Sequence, residues 1–245
     1  MKTRYLVIPF LAVLATAGSM RAQSQFARAE AEIVSPTKGA YDTTGGLNLY
    51  IGSVLGADKN HEFSLSVGAM VWSESSVHGY RSNGNEGTTT IWLDHVAYDI
   101  PSNEEKITIS DGKLKLQDGT SYNTNYHPAL DAVPVLANYR CYFGDKDSRV
   151  RLFVGGGVGY ANLRARSKIW QSNRHFHDDE ESDSAWKFAW NATAGVSIKL
   201  TEPLRLDVGY AYQEINGTTF DMSNLSYKLD SVKTNMLRGG VTWLF

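Results

Sequence analysis

The stretch Arg238-Gly-Gly-Val-Thr-Trp-Leu-Phe245 decides the fold, because it reads as a β-strand with aromatic side chains at two alternate positions near its end. A strand that crosses a bilayer turns apolar side chains toward the lipid and places aromatic rings at the membrane interface. Its backbone groups must be paired within the protein, since hydrocarbon offers them no hydrogen-bond partner. The stretch therefore predicts the closing strand of a bacterial outer-membrane β-barrel.

The first 22 residues predict a secretory signal peptide. Lys2 and Arg4 make its start basic, and a mostly apolar run follows over residues 5–18. The run is shorter than the ~20 residues that a transmembrane helix needs. Cleavage after Ala17 and cleavage after Ala22 both remain open, because each leaves a small residue at the cut.

The composition allows one barrel or one globular domain. Removal of residues 1–22 leaves 223 of the 245 residues and takes away three basic residues, which shifts the formal net charge from −2 to −5. This mild acidity argues against nucleic acid as a partner. Cys141 is the only cysteine, so an intramolecular disulfide is impossible and strand pairing must hold the fold together.

Strict alternation over residues 186–200 and 204–212 predicts two membrane strands. In the first segment every even position is apolar, and the odd positions are polar or small. In the second, Leu, Val and Tyr alternate with Arg205, Asp207 and small residues. Both segments are long enough to cross, because a tilted membrane strand needs ~9 to 11 residues.

A hairpin of the same pattern precedes them at residues 133–143 and 150–160, with turn composition at residues 144–148. Glycines on the opposite face of its second strand predict room in a narrow lumen for side chains from across the barrel. The hairpin resembles the central hairpin of the small outer-membrane β-barrel family that includes OmpA-, OmpX- and opacity-type proteins.

The final stretch also resembles the assembly signal of such barrels, carried here by Gly240, Trp243 and Phe245. The whole resemblance covers residues 132–245. It implies a closed antiparallel up-and-down barrel that is surrounded by outer-membrane lipids. It also implies recognition by the barrel assembly machinery through the last strand. The sequence departs from the two-domain members of the family, because we expect no peptidoglycan-binding segment after the barrel.

Counting back from a last strand at residues 231–245 predicts eight strands in all. The first three of them lie at residues 46–55, 63–72 and 88–100. The hairpin signal Asp111-Gly112 predicts that residues 105–117 stand above the membrane, and a ten-stranded barrel that includes them is the alternative. Residues 27–38 are polar without evident alternation. Residues 23–44 are therefore predicted to form a periplasmic tail, and residues 45–245 the barrel.

Inward positions near the periplasmic end are predicted to carry excess positive charge. The set comprises Arg140, Arg151, Lys199, Arg205 and Arg238, with Asp207 as the one assured acid. Buried like charges are too costly to leave unpaired. Asp94 of the third strand, or water together with Glu30 and Glu32 of the tail, would complete the pairing. Side chains fill the lumen of an eight-stranded barrel, so we predict that the charge network closes the lumen to ions. An anion-conducting pore is the alternative.

No enzyme active site, cofactor or metal site is predicted. His127 is followed by proline, and Asp94 and His95 point to opposite faces of their strand. The acidic loop at residues 175–183 contains histidines without fixed ligand spacing and is interpreted as solvated.

We expect a cell-envelope barrel with a structural or surface-interaction role, exerted through long loops at residues 100–126, 164–184 and 214–230. These loops are predicted to be extracellular and to be where a possible ligand binds, because short turns face the periplasm in such barrels. A narrow porin-like channel or a solute-binding barrel is the alternative.

Overall fold

Strands with alternating inward and outward side chains build a closed antiparallel barrel in the computed structural model. The structure describes residues 24–37, 41–56, 59–73, 80–81, 88–93, 96–101, 107–168, 180–222 and 225–245. The predicted signal peptide lies outside these residues. The strands are β1 (Ser24–Pro36), β2 (Thr44–Leu55), β3 (His61–Trp72), β4 (Tyr80–Arg81), β5 (Thr88–Leu93), β6 (Val96–Pro101), β7 (Ile107–Ser110), β8 (Lys113–Lys115), β9 (Ser121–Asn123), β10 (Ala129–Phe143), β11 (Val150–Lys168), β12 (Glu180–Lys199), β13 (Leu204–Ile215), β14 (Thr218–Met222), β15 (Leu225–Leu229) and β16 (Val232–Leu244). Within the described ranges, no helix is long and apolar enough to cross a membrane.

The barrel consists of β1, β2, β3, β10, β11, β12, β13 and β16, each paired antiparallel with its neighbours. It closes where β1 pairs with β16, in a register that runs from Phe26 opposite Leu244 to Pro36 opposite Thr234. Gln25 and Phe245 extend the seam through two reciprocal backbone hydrogen bonds of 2.9 Å. The prediction of an all-β, eight-stranded, up-and-down barrel is confirmed, and the ten-stranded alternative is wrong.

The predicted periplasmic tail is wrong, because β1 is a barrel strand that spans most of residues 23–44. The alternation of β1 has the same sense as in the other barrel strands, but the difference in hydrophobicity between its two faces is small. Its buried even positions include Arg28, Glu30 and Glu32, whereas its exposed odd positions include three alanines and Ile33. Charges on the lumen face and weakly apolar alanines on the lipid face made the segment look merely polar. The barrel therefore begins at Ser24 and not at residue 45.

The predicted third barrel strand at residues 88–100 is also wrong. The segment is split between β5 and β6, which pair with each other as a hairpin in a separate three-stranded sheet with β4. β3 instead pairs directly with β10, across the long connection that contains these strands. The count of eight strands holds because β1 takes the place of this segment.

The two ends of the barrel differ in the length of their connections. At one end, β2–β3, β10–β11 and β12–β13 are joined by the short segments 56–60, 144–149 and 200–203. At the other end, β3 is joined to β10 through residues 73–128, and β13 to β16 through residues 216–231. In outer-membrane barrels the short turns face the periplasm and the long loops face the outside of the cell. We therefore call the first end periplasmic and the second extracellular.

A head of short strands stands on the extracellular end. Besides the sheet of β4, β5 and β6, it contains a five-stranded sheet in the order β14, β15, β7, β8, β9. Asp111 and Gly112 have φ values of 53° and 68° and form the two-residue turn between β7 and β8. The turn and the position of residues 105–117 above the barrel, where they are described, are therefore confirmed.

The head and the extracellular half of the lumen share one apolar core. Barrel side chains such as Met70, Leu130 and Leu163 belong to the same buried cluster as Ile109 and Phe220 of the head. This shared core makes the head a packed continuation of the barrel.

Candidate functional site

The outer face of the barrel is an apolar belt. It exposes large hydrophobic side chains from all eight barrel strands, among them Ile33, Leu49, Val67, Tyr139, Val158, Phe188, Tyr210 and Val241. Trp243 and Phe245 of the predicted assembly signal are 53% and 61% exposed on this face. Gly240 is buried and faces the lumen, where a Cβ atom would lie 2.5 Å from the backbone oxygen of Ala29.

The periplasmic half of the lumen contains a network of ion pairs, with Arg28 at its centre. Arg28 donates from Nη2 to Glu62 at 2.5 Å, and its Nε lies 2.9 Å from a carboxylate oxygen of Asp207. The Thr242 hydroxyl bridges Arg28 and Asp207. It accepts a hydrogen bond from Arg28 Nε at 2.6 Å and donates one to the same Asp207 oxygen at 2.7 Å. Each of these side chains is almost fully buried.

Two further arginines extend the network along the lumen. Arg140 donates to Glu30 at 2.6 Å and lies 3.7 Å from Asp207. Arg238 and Glu32 form an ion pair at 2.6 Å. Because Glu30 and Glu32 both lie on β1, the strand missed in the sequence supplies two of the four buried acids in the described chain.

Aromatic rings fill the space around the guanidinium groups. Arg28 lies 4.8 Å from the ring centre of Phe26, Arg140 lies 4.7 Å from that of Phe153, and Arg151 lies 4.8 Å from that of Tyr142. Such cation–π contacts stabilise a cation most where water is excluded.

The residues predicted for the lumen fall into three groups. Arg140, Asp207 and Arg238 come together with carboxylates, as described above. Arg151 and Arg205 are buried near the periplasmic end, and no carboxylate among the described residues lies within 4.0 Å of either. Lys199 reaches out of the mouth to Glu202 of the β12–β13 turn at 2.6 Å, which holds the pKa of Glu202 below its usual value.

Sequence reasoning missed Arg28 and Glu62. Arg28 lies in the unrecognised strand β1, and Glu62 lies one residue before the segment taken as the second barrel strand. The period-2 spacing of Arg28, Glu30 and Glu32 was the available signal. Asp94, the other acid considered, lies outside the described residues.

The buried charges nearly balance. Among the described residues, the buried ionised side chains are Arg28, Arg140, Arg151, Arg205 and Arg238 against Glu30, Glu32, Glu62 and Asp207. The lumen therefore carries a formal charge of +1 from these groups.

A cleft of about 710 Å³ opens in the head at the extracellular rim. The charged side chains in its lining are Asp111, Lys228, Asp230 and Lys233, and its aromatic ones are Tyr41, Tyr126 and Tyr227. Burial raises the pKa of Tyr227 above its usual value.

The histidine and acidic candidates outside the lumen are only partly described. Residues 94–95 and 175–179 lie outside the described ranges, whereas Asp183 accepts a backbone hydrogen bond of 2.9 Å from Asp221 of β14. His127 packs edge-on against Tyr41, with 4.6 Å between ring centres. Where the structure describes the chain, no group of three or more His, Cys, Asp or Glu side chains could hold a metal ion.

Sequence comparisons match about a quarter of the chain to known proteins. No protein-family model matches the sequence. Uncharacterised proteins of Brucella abortus, Brucella suis and Brucella melitensis are 33% identical to the chain over 70 residues, or 26% of this chain and 24% of each relative. The match thus spans about a quarter of the relatives' length.

Two solved structures are similar over most of the chain. A major outer membrane protein of Thermus thermophilus has a TM-score of 0.51, with 11% identity, over 90% of this chain and 99% of that one. Neisserial surface protein A has a TM-score of 0.47, with 13% identity, over 90% and 97%. At such identities the first likeness shows the fold alone. This fold and the apolar belt define a small β-barrel protein of the bacterial outer membrane.

Proposed function

We propose that this protein is a non-enzymatic outer-membrane barrel that anchors a folded head at the cell surface, and that the head is the part which meets partners. The observation that carries the proposal is the apolar core shared by the lumen and the head. A loop that only connected two strands would not need side chains such as Phe220 and Leu225 fully buried with the barrel wall. The head is built as a fixed surface.

The lumen supports the anchoring half of the proposal. Its periplasmic half is filled by paired charges and aromatic rings, and its extracellular half by apolar side chains. A lumen filled in this way is a rigid support and leaves little room for solute.

A narrow channel is the second candidate. It is favoured by buried polar atoms in the lumen that lack a hydrogen-bond partner among the described residues, including Nη1 of Arg28 and Arg140 and Oδ1 of Asp207. Ordered water would satisfy these atoms, and a continuous file of water would make a pore.

Surface labelling tests the orientation on which the proposal depends. Lys113 of the head and Lys146 of a periplasmic turn are both exposed, so Lys113→Cys and Lys146→Cys form a matched pair in a Cys141→Ser background. On intact cells, a membrane-impermeant maleimide should label the first variant and not the second. Labelling of Lys146→Cys alone would place the head in the periplasm and refute the proposal.

Charge reversal on the head tests its role as a contact surface. Lys228→Glu changes an exposed residue of the cleft, and Lys146→Glu makes the same change at the opposite end. We expect Lys228→Glu to alter the retention of cells on a panel of charged and neutral surfaces, while Lys146→Glu leaves retention at the wild-type level. Equal retention of cells with and without the protein on every surface would contradict a surface-interaction role.

A further inference from the structure

The periplasmic mouth of the lumen holds positive charge that the ion-pair network does not neutralise. Arg151 and Arg205 are only 2% and 8% exposed. They lie on the two strands that flank β12, opposite Ser197 and Lys199, which are two residues apart on that strand. The four buried carboxylates of the described chain lie in or beside the network already described, where Glu62 and Asp207 are both bound by Arg28. Among the described residues, no carboxylate thus lies within 4.0 Å of either arginine, although the charges of Glu62 and Asp145 act on Arg151 from farther away.

Three buried donors at this mouth have no partner. Arg151 donates from its Nη atoms to the backbone oxygen of Lys59 and to the side chain of Asn60, but its Nε bonds to nothing in the described structure. Arg205 Nε and the Ser197 hydroxyl are unpartnered in the same way. The strand register places Ser197 directly opposite Arg151, and Arg205 directly opposite Lys199.

The mouth carries charges of both signs around these donors, because Asp145 and Asp147 lie in the turn that precedes Arg151. Lys59 lies in the adjacent turn, and Lys199 lies at the rim in contact with Glu202. Glu202 is almost fully exposed, and its charge is already matched by Lys199 at 2.6 Å.

Guanidinium N–H groups and a hydroxyl are the donors that bind tetrahedral oxyanions, and guanidinium groups fit such anions through two parallel hydrogen bonds. An anion would also offset the cost of leaving two buried cations unpaired. We propose that Arg151, Arg205 and Ser197 form a binding site for a small oxyanion, with the chemistry of inorganic phosphate, at the periplasmic mouth of the lumen.

Thermal unfolding and phosphorus NMR of the refolded protein test this site. Phosphate is titrated against sodium chloride at constant ionic strength and pH. A ligand that binds only the folded state raises the melting temperature by mass action, by roughly 2 to 6 °C at ten times its dissociation constant. We expect a saturable rise for the wild type and phosphorus line broadening over the same concentrations.

The variants are chosen to separate a built site from a general salt effect. Arg205→Gln should abolish the saturable rise, and Arg205→Lys, which keeps the charge but loses the planar donors, should weaken binding at least tenfold. Arg164→Gln is the control, because Arg164 lies on the same strand as Arg151 but is exposed and donates to Ser182 at 3.1 Å. It should bind like the wild type.

Two results would overturn the proposal. One is a wild-type melting temperature that does not respond to phosphate in a saturable way. The other is the same response in Arg205→Lys, Arg164→Gln and the wild type. A dimethyl phosphodiester, added as a competitor, distinguishes a free ion from a lipid headgroup. Competition as strong as that of phosphate itself would reject the free ion as the ligand.

Discussion

Removing the charge of Asp207 should destabilise the barrel strongly. One oxygen of Asp207 lies 2.9 Å from Arg28 and 3.7 Å from Arg140, and it accepts a hydrogen bond from Thr242 at 2.7 Å. Asp207→Asn keeps the shape of the side chain but raises the formal charge of the buried, described groups from +1 to +2. Breaking a buried pair by removing one partner costs ~3 to 5 kcal/mol.

Urea unfolding of the refolded protein, followed by tryptophan fluorescence, measures this loss. With a slope of roughly 2 to 3 kcal/mol per molar urea, the midpoint should fall by about 1 to 2.5 M. Asp131→Asn is the matched control, because Asp131 pairs with Arg166 at 3.0 Å while both side chains are partly exposed. An exposed pair contributes only ~0 to 1 kcal/mol. Equal midpoint shifts in the two variants would refute the reasoning, since they would mean that water screens Asp207 as it screens Asp131.

Three further changes test the seam and the shared core. Gly240→Ala should lower the yield of folded barrel, because the new Cβ atom would lie 2.5 Å from the Ala29 backbone oxygen. In Gly239→Ala the new Cβ atom meets no atom within 4 Å, so this variant should assemble normally. Heat-modifiable mobility in a detergent gel measures both yields. Phe245→Asp should sharply reduce the assembled protein in outer-membrane fractions, since it places a charge in the exposed aromatic belt next to the Gln25 seam; wild-type yield would contradict this. Leu163→Ala should lower the free energy of unfolding by ~2 to 5 kcal/mol, because Leu163 is fully buried in the shared core, and a loss below ~1 kcal/mol would mean that the core is not packed there.

The membrane strands of the second half were predictable because their outward residues are strongly apolar. In β12 and β13, Trp, Phe, Leu, Val and Tyr alternate with polar or small residues, and the structure places the apolar set outside. The turn at Asp111-Gly112 was predictable for a local reason, since its backbone needs positive φ at two successive residues.

The first barrel strand was not predictable from apolar content alone. β1 places alanines outside and charges inside, so its hydrophobic contrast is low although its period is that of a strand. Its acids have meaning only next to their partners, because Glu30 meets Arg140 more than 100 residues away in sequence. The sequence did indicate Glu30 and Glu32 as possible partners of the basic cluster, and their spacing of two residues was the signal that they share one face of a strand.

Apart from the hairpin at Asp111-Gly112, the head was missed for a different reason. Its strands have three to six residues each in the described sheets, apart from the two-residue β4, and they are stabilised by burial against the barrel mouth. The parallel pairing of β15 with β7 joins segments more than 110 residues apart. Nothing local in either segment specifies that partner.

Whether the lumen is closed decides between an anchor and a channel, and single-channel recording of the refolded protein in a planar lipid bilayer measures it directly. We predict no steady current for the wild type, because nine buried ionised side chains in the described chain and the rings of Phe26, Tyr142 and Phe153 occupy the lumen. We also predict no steady current for Asp207→Asn, at lower stability. A steady ohmic current that becomes more anion-selective in Asp207→Asn would contradict the plugged barrel and establish a pore.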